Sequence, residues 1–353
     1  MTESITEARL PLGRKRQRVL NHAAGVWSAA NRYAAVLLVL VAVFIFFSLT
    51  QPGFFTNGNL QNLLTTVSVL SVVAFGMTFV IITGGIDLSV GSLLALAGLI
   101  LAKLIGLGLP PWLALIGTLA AAAAIGAGVN GILIGYFRLS FFVVTLGGLS
   151  LYEGIDNIWS GTKTIYISSS LIDGVAFGTF LGLQTPIWIM LGALLTTLVV
   201  LRWTYFGRDV YAVGGNIAAA RLSGINVKLT LLVVYGVSGF FAGLAGILED
   251  GRLGAASPLV GQDIPLSAIA AVLLGGTSFA GGIGGVVGTA VGVLFIGTLQ
   301  DGLSIAGISS FWQQVVTGTI LILAIGIDRL QQQPRRSFRR ATPAVAPQSE
   351  MAG

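Results

Sequence analysis

The chain has 353 residues, 55% of them hydrophobic and only 9% charged, where an ordinary soluble domain carries about 25% charged residues. That excludes a soluble enzyme. It also means that the net charge of +6 is read as a distribution of Lys and Arg across a membrane, not as affinity for nucleic acid. Zero cysteines exclude a disulfide framework, cysteine-ligated metal and thiol catalysis.

Segment 1–32 is polar and basic, with Arg9, Arg14, Lys15, Arg16, Arg18 and Arg32. The apolar run that starts at Tyr33 lacks a small-residue cleavage site, so the segment reads as a cytoplasmic tail ahead of a retained helix. From 33 to 329 the chain reads as a transmembrane domain. Charge-free windows at 33–86, 104–137, 174–201, 229–248, 264–300 and 302–327 are each long enough for one or two spans of about 20 residues. Lipid offers backbone amides no partners, and the windows do not alternate as barrel strands do, so they are helices. Apolar runs and breakers predict ten spans in an all-α polytopic fold: 33–50, 60–82, 88–106, 112–135, 142–159, 186–203, 229–248, 265–279, 285–301 and 310–328.

The connections complete this plan. Loop 160–185, with Lys163, Asp173 and the run Ser168-Ser169-Ser170, and segment 249–264, with Glu249, Asp250, Arg252 and Asp263, fall outside. Loop 204–228 falls inside. The tail 330–353, like residues 1–30, is polar, Pro-containing or Arg-rich and reads as disordered. With both termini inside, 16 of the 19 Lys and Arg are cytoplasmic, leaving Lys103, Lys163 and Arg252 outside, which sets the orientation. Trp112, Trp159, Trp188, Trp203 and Trp312 fall near span ends, at headgroup level. Glycines spaced by four, Gly131 with Gly135, Gly239 with Gly243, and Gly284 with Gly288 and Gly292, put small residues on one helix face and allow close approach. A faint echo links Gly84-Gly85-Ile86-Asp87 through Gly91 with Gly275-Gly276-Thr277-Ser278 through Gly282, each joining two apolar spans.

Catalytic constellations are missing from the sequence. The lone His22 lies in the basic tail, leaving no histidine base, zinc pair or proton relay for the membrane. Gly161-Thr162-Lys163-Thr164 lacks the spacing of a phosphate-binding loop. No cofactor is expected. A secondary transporter needs only a few buried ionisable groups, for which Asp87, Glu153 and Asp301 are the candidates. Glu153 and Asp301 read as span-end residues in water. Asp87 reads first as a cap on the helix that begins at Leu88, and alternatively as a functional intramembrane acid.

Loop 204–228 is the most structured connection. Asn216 is a good N-cap, 217–223 a short helix and Gly224 its stop. So short a helix needs something to pack against: its own membrane domain, or a groove on a cytoplasmic motor subunit. The string Gly207-Arg208-Asp209-Val210-Tyr211-Ala212-Val213-Gly214-Gly215-Asn216, followed by Ala219-Ala220-Arg221-Leu222-Ser223-Gly224-Ile225, resembles the cytoplasmic loop of sugar-importing ABC permeases of the ribose, xylose and galactose type. Ile86-Asp87-Leu88-Ser89-Val90-Gly91-Ser92, the run Ala268 to Ser278, and Phe311-Trp312-Gln313-Gln314-Val315-Val316 resemble three further signatures of that family. The resemblance spans roughly residues 33–329.

That resemblance implies an inner-membrane permease of a bacterium, translocating a monosaccharide or related polyol, with a fold similar to the vitamin B12 importer permease. It implies as partners a cytoplasmic ATPase with tandem nucleotide-binding domains, an extracytoplasmic sugar-binding protein, a second permease copy or paralogue, and membrane lipid. ATPase coupling would fall to Gly214, Gly215, Asn216, Ala220, Arg221, Leu222, Ser223 and Gly224. Asp87, Ser89, Gly275, Gly276, Thr277 and Gln313 are candidates for gating or pathway. The chain departs from the pattern at Leu139-Ser140-Phe141-Phe142, Tyr152-Glu153-Gly154 and Ile264-Pro265-Leu266-Ser267, so the ATPase coupling carries over more firmly than the sugar. A branched-chain amino acid ABC permease and a proton-coupled secondary transporter are the alternatives.

Overall fold

The structure is a computed structural model that describes residues 34–332. The expected tail 1–32 and all but the first residues of the tail 330–353 lie outside the described residues. In chain order the helices are α1 (Ala34–Thr50), α2 (Asn57–Ile82), α3 (Val90–Gly106), α4 (Pro111–Gly135), α5 (Phe141–Ser160), α6 (Ser170–Phe177), α7 (Thr185–Trp203), α8 (Tyr205–Gly215), α9 (Ile217–Leu222), α10 (Val227–Leu253), α11 (Ile264–Leu274), α12 (Val286–Ile305) and α13 (Ser310–Gln332).

Each expected span overlaps one of these helices. Five of them, α2, α4, α7, α10 and α12, are long and apolar enough to cross a membrane, and α1, α3, α11 and part of α13 are shorter apolar helices. The span expected at 265–279 is the main correction. Its helix stops at Leu274, because Gly276 adopts a left-handed backbone (φ 83°), and eleven residues cover only about 16 Å at 1.5 Å each.

α2 is the central post. It is almost wholly buried beneath α10, α11, α12 and α7. α10 also packs on α3 and α4, and α5 packs on α3. Small residues make these contacts possible, since apolar side chains gain nothing over lipid by meeting one another and close packing must supply the attraction. A Cβ at Gly239 would overlap the Ala122 carbonyl oxygen of α4, and one at Gly292 would overlap that of Ala271 in α11. Gly131, Gly135, Gly239, Gly243 and Gly292 thus lie at helix crossings, whereas Gly284 falls in the turn before α12, against Thr277. Hydroxyls add intramembrane bonds, such as Thr78 with Thr289 at 2.8 Å.

Connections 160–185 and 249–264 are folded more than the sequence reveals. Loop 160–185 contains α6 and a hairpin of β2 (Thr179–Phe180) and β3 (Leu183–Gln184). Its β1 (Ile165–Tyr166) pairs antiparallel with β4 (Ala255–Ala256) just after α10. Loops 160–185 and 249–264 therefore share one face.

Candidate functional site: coupling segment, buried acid and polar cavity

Segment 204–228 holds two helices separated by an extended residue, Asn216. Thr204 accepts from the Gly207 amide at 3.0 Å and starts α8. Asn216 ends α8, and its Oδ1 accepts from the Ala218 and Ala219 amides at 2.9 and 3.0 Å, capping α9. Gly224, at φ 83°, closes α9 while the Ile225 amide donates to Ala220 O at 3.0 Å. The short helix starts where the sequence reading placed it and ends one residue earlier, at Leu222, whereas α8 is an additional helix. α9 buries little: Ala220 packs with Val213 and Val227, while Arg221, Ser223 and Leu222 are exposed, Leu222 at 91%.

At the same end of α8, just before Asn216, Gly214 sits against backbone. A Cβ there would overlap the Ile82 carbonyl oxygen at the end of α2 and approach the Gly282 amide to 2.6 Å. The Gly282 amide donates to that same carbonyl at 2.8 Å. Gly281 adopts φ 86° with its Cβ position 2.9 Å from Gly84 N and 3.0 Å from Gly214 O. Tyr211 Oη donates to Gly284 O at 2.9 Å. The two glycine turns that echo each other in sequence thus meet at Gly214. They share a geometry: the Gly84 and Gly85 amides donate to Ile81 O and Val80 O, and those of Gly276 and Thr277 to Leu273 O and Val272 O. Gly84 is therefore the counterpart of Gly276, one residue off the register expected.

Beyond Gly84 the chain runs without helix through the protein interior to Val90. Irregular backbone at membrane depth survives only where protein or a cavity surrounds it. Asp87, fully buried, holds this segment. Its Oδ1 accepts from the Ser89 amide at 3.1 Å, Ser89 Oγ at 2.6 Å and Asn130 Nδ2 at 3.3 Å, and its Oδ2 from Ser238 Oγ at 2.9 Å. The expected helix cap is corrected here. Ser89 occupies the cap position of α3, and the Asp87 carboxyl ties the segment to α4 and α10 instead. Asn130 reaches it from a π-helical stretch, Gly126–Gly131, inside α4; such bulges are frequent at functional sites.

At its far end this segment meets a cavity. A Cβ at Gly91 would overlap the Gly261 carbonyl oxygen, and Gly261 lines a cavity of about 630 Å³ between α2, the end of α10, α11, α12 and α13. Asn62, Thr66, Gln300, Ser304, Gln313 and Thr317 supply amides and hydroxyls. Glu249 and Arg252 face it as a two-pronged ion pair, Nε to Oε2 at 3.0 Å and Nη2 to Oε1 at 2.7 Å. Asp263 accepts from Gln314 at 2.8 Å and Asp301 from Asn59 at 2.8 Å. Asp301 is thus half-buried and bonded, not free in water.

Of the residues singled out for gating or pathway, only Gln313 lines the cavity. Asp87 and Ser89 belong to the buried cluster, and Gly275, Gly276 and Thr277 to the turn after α11, where Gly275 packs on the Gly288 backbone. Among groups the sequence reading missed, Glu249 and Arg252 carried a signal, the i,i+3 spacing of opposite charges. Asn130 and Ser238 carried none.

Residues 59–325 match the family described as the branched-chain amino acid transport system permease component. The chain belongs to this permease family. It is 42% identical to the ribose import permease protein of Escherichia coli K12 over 310 residues, 87% of this chain and 95% of that protein. It is 38% identical to the D-allose transport system permease protein of the same organism, over 85% of this chain and 92% of the relative. An L-arabinose ABC transporter permease protein of Azospirillum brasilense is 35% identical over 89% and 92% of the two chains. The resemblance to sugar-type ABC permeases read from four motifs is borne out, and the permease is a multi-pass membrane protein.

Proposed function

We propose that this permease carries a monosaccharide or related polyol into the cytoplasm of a bacterium, driven by ATP hydrolysis on a partner subunit. The family description names branched-chain amino acids, but the similar relatives are named for ribose, allose and arabinose, which favours sugar. One observation carries the coupling: backbone packs on backbone from Gly214 through Ile82, Gly282, Gly281 and Gly84, and again from Gly91 to Gly261 at the cavity. Interiors packed at crystal-like density transmit displacement, so a pull on α8 and α9 reaches the cavity.

In this reading α9 presents Arg221 and Leu222 to a cytoplasmic ATPase with tandem nucleotide-binding domains. A sugar-binding protein docks outside, and the permease pairs with a second copy or a paralogue in the inner membrane, in a ten-span fold similar to the vitamin B12 importer permease. Arg221→Glu and Gly224→Val test the docking. The first reverses an exposed charge, and the second puts a branched residue at a left-handed backbone, at a cost of about 1–3 kcal/mol. Both variants should insert normally yet fail to co-purify with the ATPase or to couple hydrolysis to uptake. Normal pull-down and normal uptake by both would remove the assignment.

Orientation has its own test in a cysteine-free chain. Ser168 is exposed, whereas the Ser169 hydroxyl is buried, so Ser168→Cys is the better outer reporter. It should react with an impermeant thiol reagent only from outside, and Ser223→Cys only from the cytoplasm. Labelling of both from one side would break the proposed topology.

A further inference from the structure

We infer that the cavity bounded by α2, α10, α11, α12 and α13 is a sugar-binding site on the permease itself, read by the Glu249–Arg252 pair. The inference rests on the sugar reading above. A monosaccharide is neutral and presents a fixed array of hydroxyls, each both donor and acceptor, so its site needs acceptors and donors in a rigid arrangement. Glu249 and Arg252 supply both. Their two-pronged contact holds each planar group in place, leaving the remaining guanidinium donors and carboxylate lone pairs for adjacent hydroxyls.

The rest of the wall agrees with a neutral polyol. Amides and hydroxyls of Asn62, Thr66, Gln300 and Gln313 line it, and its other carboxylates, Asp263 and Asp301, already accept from Gln314 and Asn59. Among the described residues one guanidinium stands against three carboxylates, which disfavours anions. The volume of about 630 Å³ lies within the range of about 300–1,000 Å³ for small-molecule sites, leaving room for a sugar with bridging waters. Among the described residues no aromatic side chain lines the cavity, so they offer no stacking face that would give tight binding. Weak binding suits a site that must release its solute.

The test uses Thr66→Cys in the full chain, assembled with its ATPase in nanodiscs and without the binding protein, so that any protection originates in the permease. With a Kd of about 10 mM, D-ribose, D-allose, L-arabinose or D-xylose at about 100 mM slows alkylation of the introduced thiol about tenfold, and L-leucine does not. Added Glu249→Gln or Arg252→Gln should abolish the protection, read in each variant as the ratio of alkylation rates with and without sugar. A thiol that never reacts means that the cavity is closed or filled by a second copy, which overturns the site. Free reaction that no sugar slows, in a complex that still imports sugar, overturns the site and leaves the transport reading standing. Protection by L-leucine in place of sugars overturns both. Protection that survives both charge substitutions removes the pair as the reader.

Discussion

Gly214→Ala is expected to abolish solute uptake while the protein still reaches the membrane. The added methyl has no space, because its position overlaps the Ile82 carbonyl and crowds the Gly282 amide. Both are backbone atoms that cannot rotate away as a side chain would. Overpacking of this kind costs about 1–3 kcal/mol, enough to push α8 off the end of α2. Gly215, whose Cβ position meets nothing within 4 Å, is the matched control: Gly215→Ala should retain uptake. Parallel measurements of uptake and ATPase association should show transport lost and association kept for Gly214→Ala. Equal transport by both variants would mean that the junction does not connect the coupling segment to the pathway.

Asp87→Leu is expected to give the largest loss of stability of any single change in the buried cluster. It takes the acceptor from three buried donors, the Ser89 amide, Ser89 Oγ and Ser238 Oγ, whereas Asn130 keeps its 2.8 Å bond to Ser89 Oγ. Each unpaired group costs about 1–3 kcal/mol, so the total is several kcal/mol and unfolding in detergent should shift down by many degrees. Asp87→Asn keeps an acceptor oxygen for Ser89 and offers Ser238 a donor, and should cost about 1–2 kcal/mol through the weaker neutral bonds. Thermal unfolding followed by tryptophan fluorescence separates the two. Matching transitions for Asp87→Leu and the unaltered protein would refute the bonding scheme.

These residues also mark where the sequence was legible. The spans could be placed because charge and apolarity are local properties: a window such as 33–86 without one charge has few structural options. α9 was legible for a similar reason, since Asn216 and Gly224 are local cap signals. α8 was not, because Gly207, Gly214 and Gly215 give it the composition of a loop. The reason for those glycines is distant in sequence: Gly207 packs on the Val200 and Leu201 carbonyls, and Gly214 on Ile82 and Gly282. Asp87 was visible as an unusual acid, but its partners Asn130 and Ser238 lie 43 and 151 residues away in otherwise apolar helices. The cavity depends on five helices meeting, which no local pattern encodes.

The central claim is ATP-driven sugar import, and reconstitution tests it most directly. Proteoliposomes containing this permease with its ATPase inside, supplied with the cognate binding protein outside, would be assayed with radiolabelled D-ribose, D-allose, L-arabinose, D-xylose and L-leucine. Accumulation of at least one of the sugars, dependent on luminal ATP and indifferent to a proton gradient, is the predicted result. Accumulation of L-leucine alone, or sugar uptake that follows a proton gradient without ATP, would contradict it.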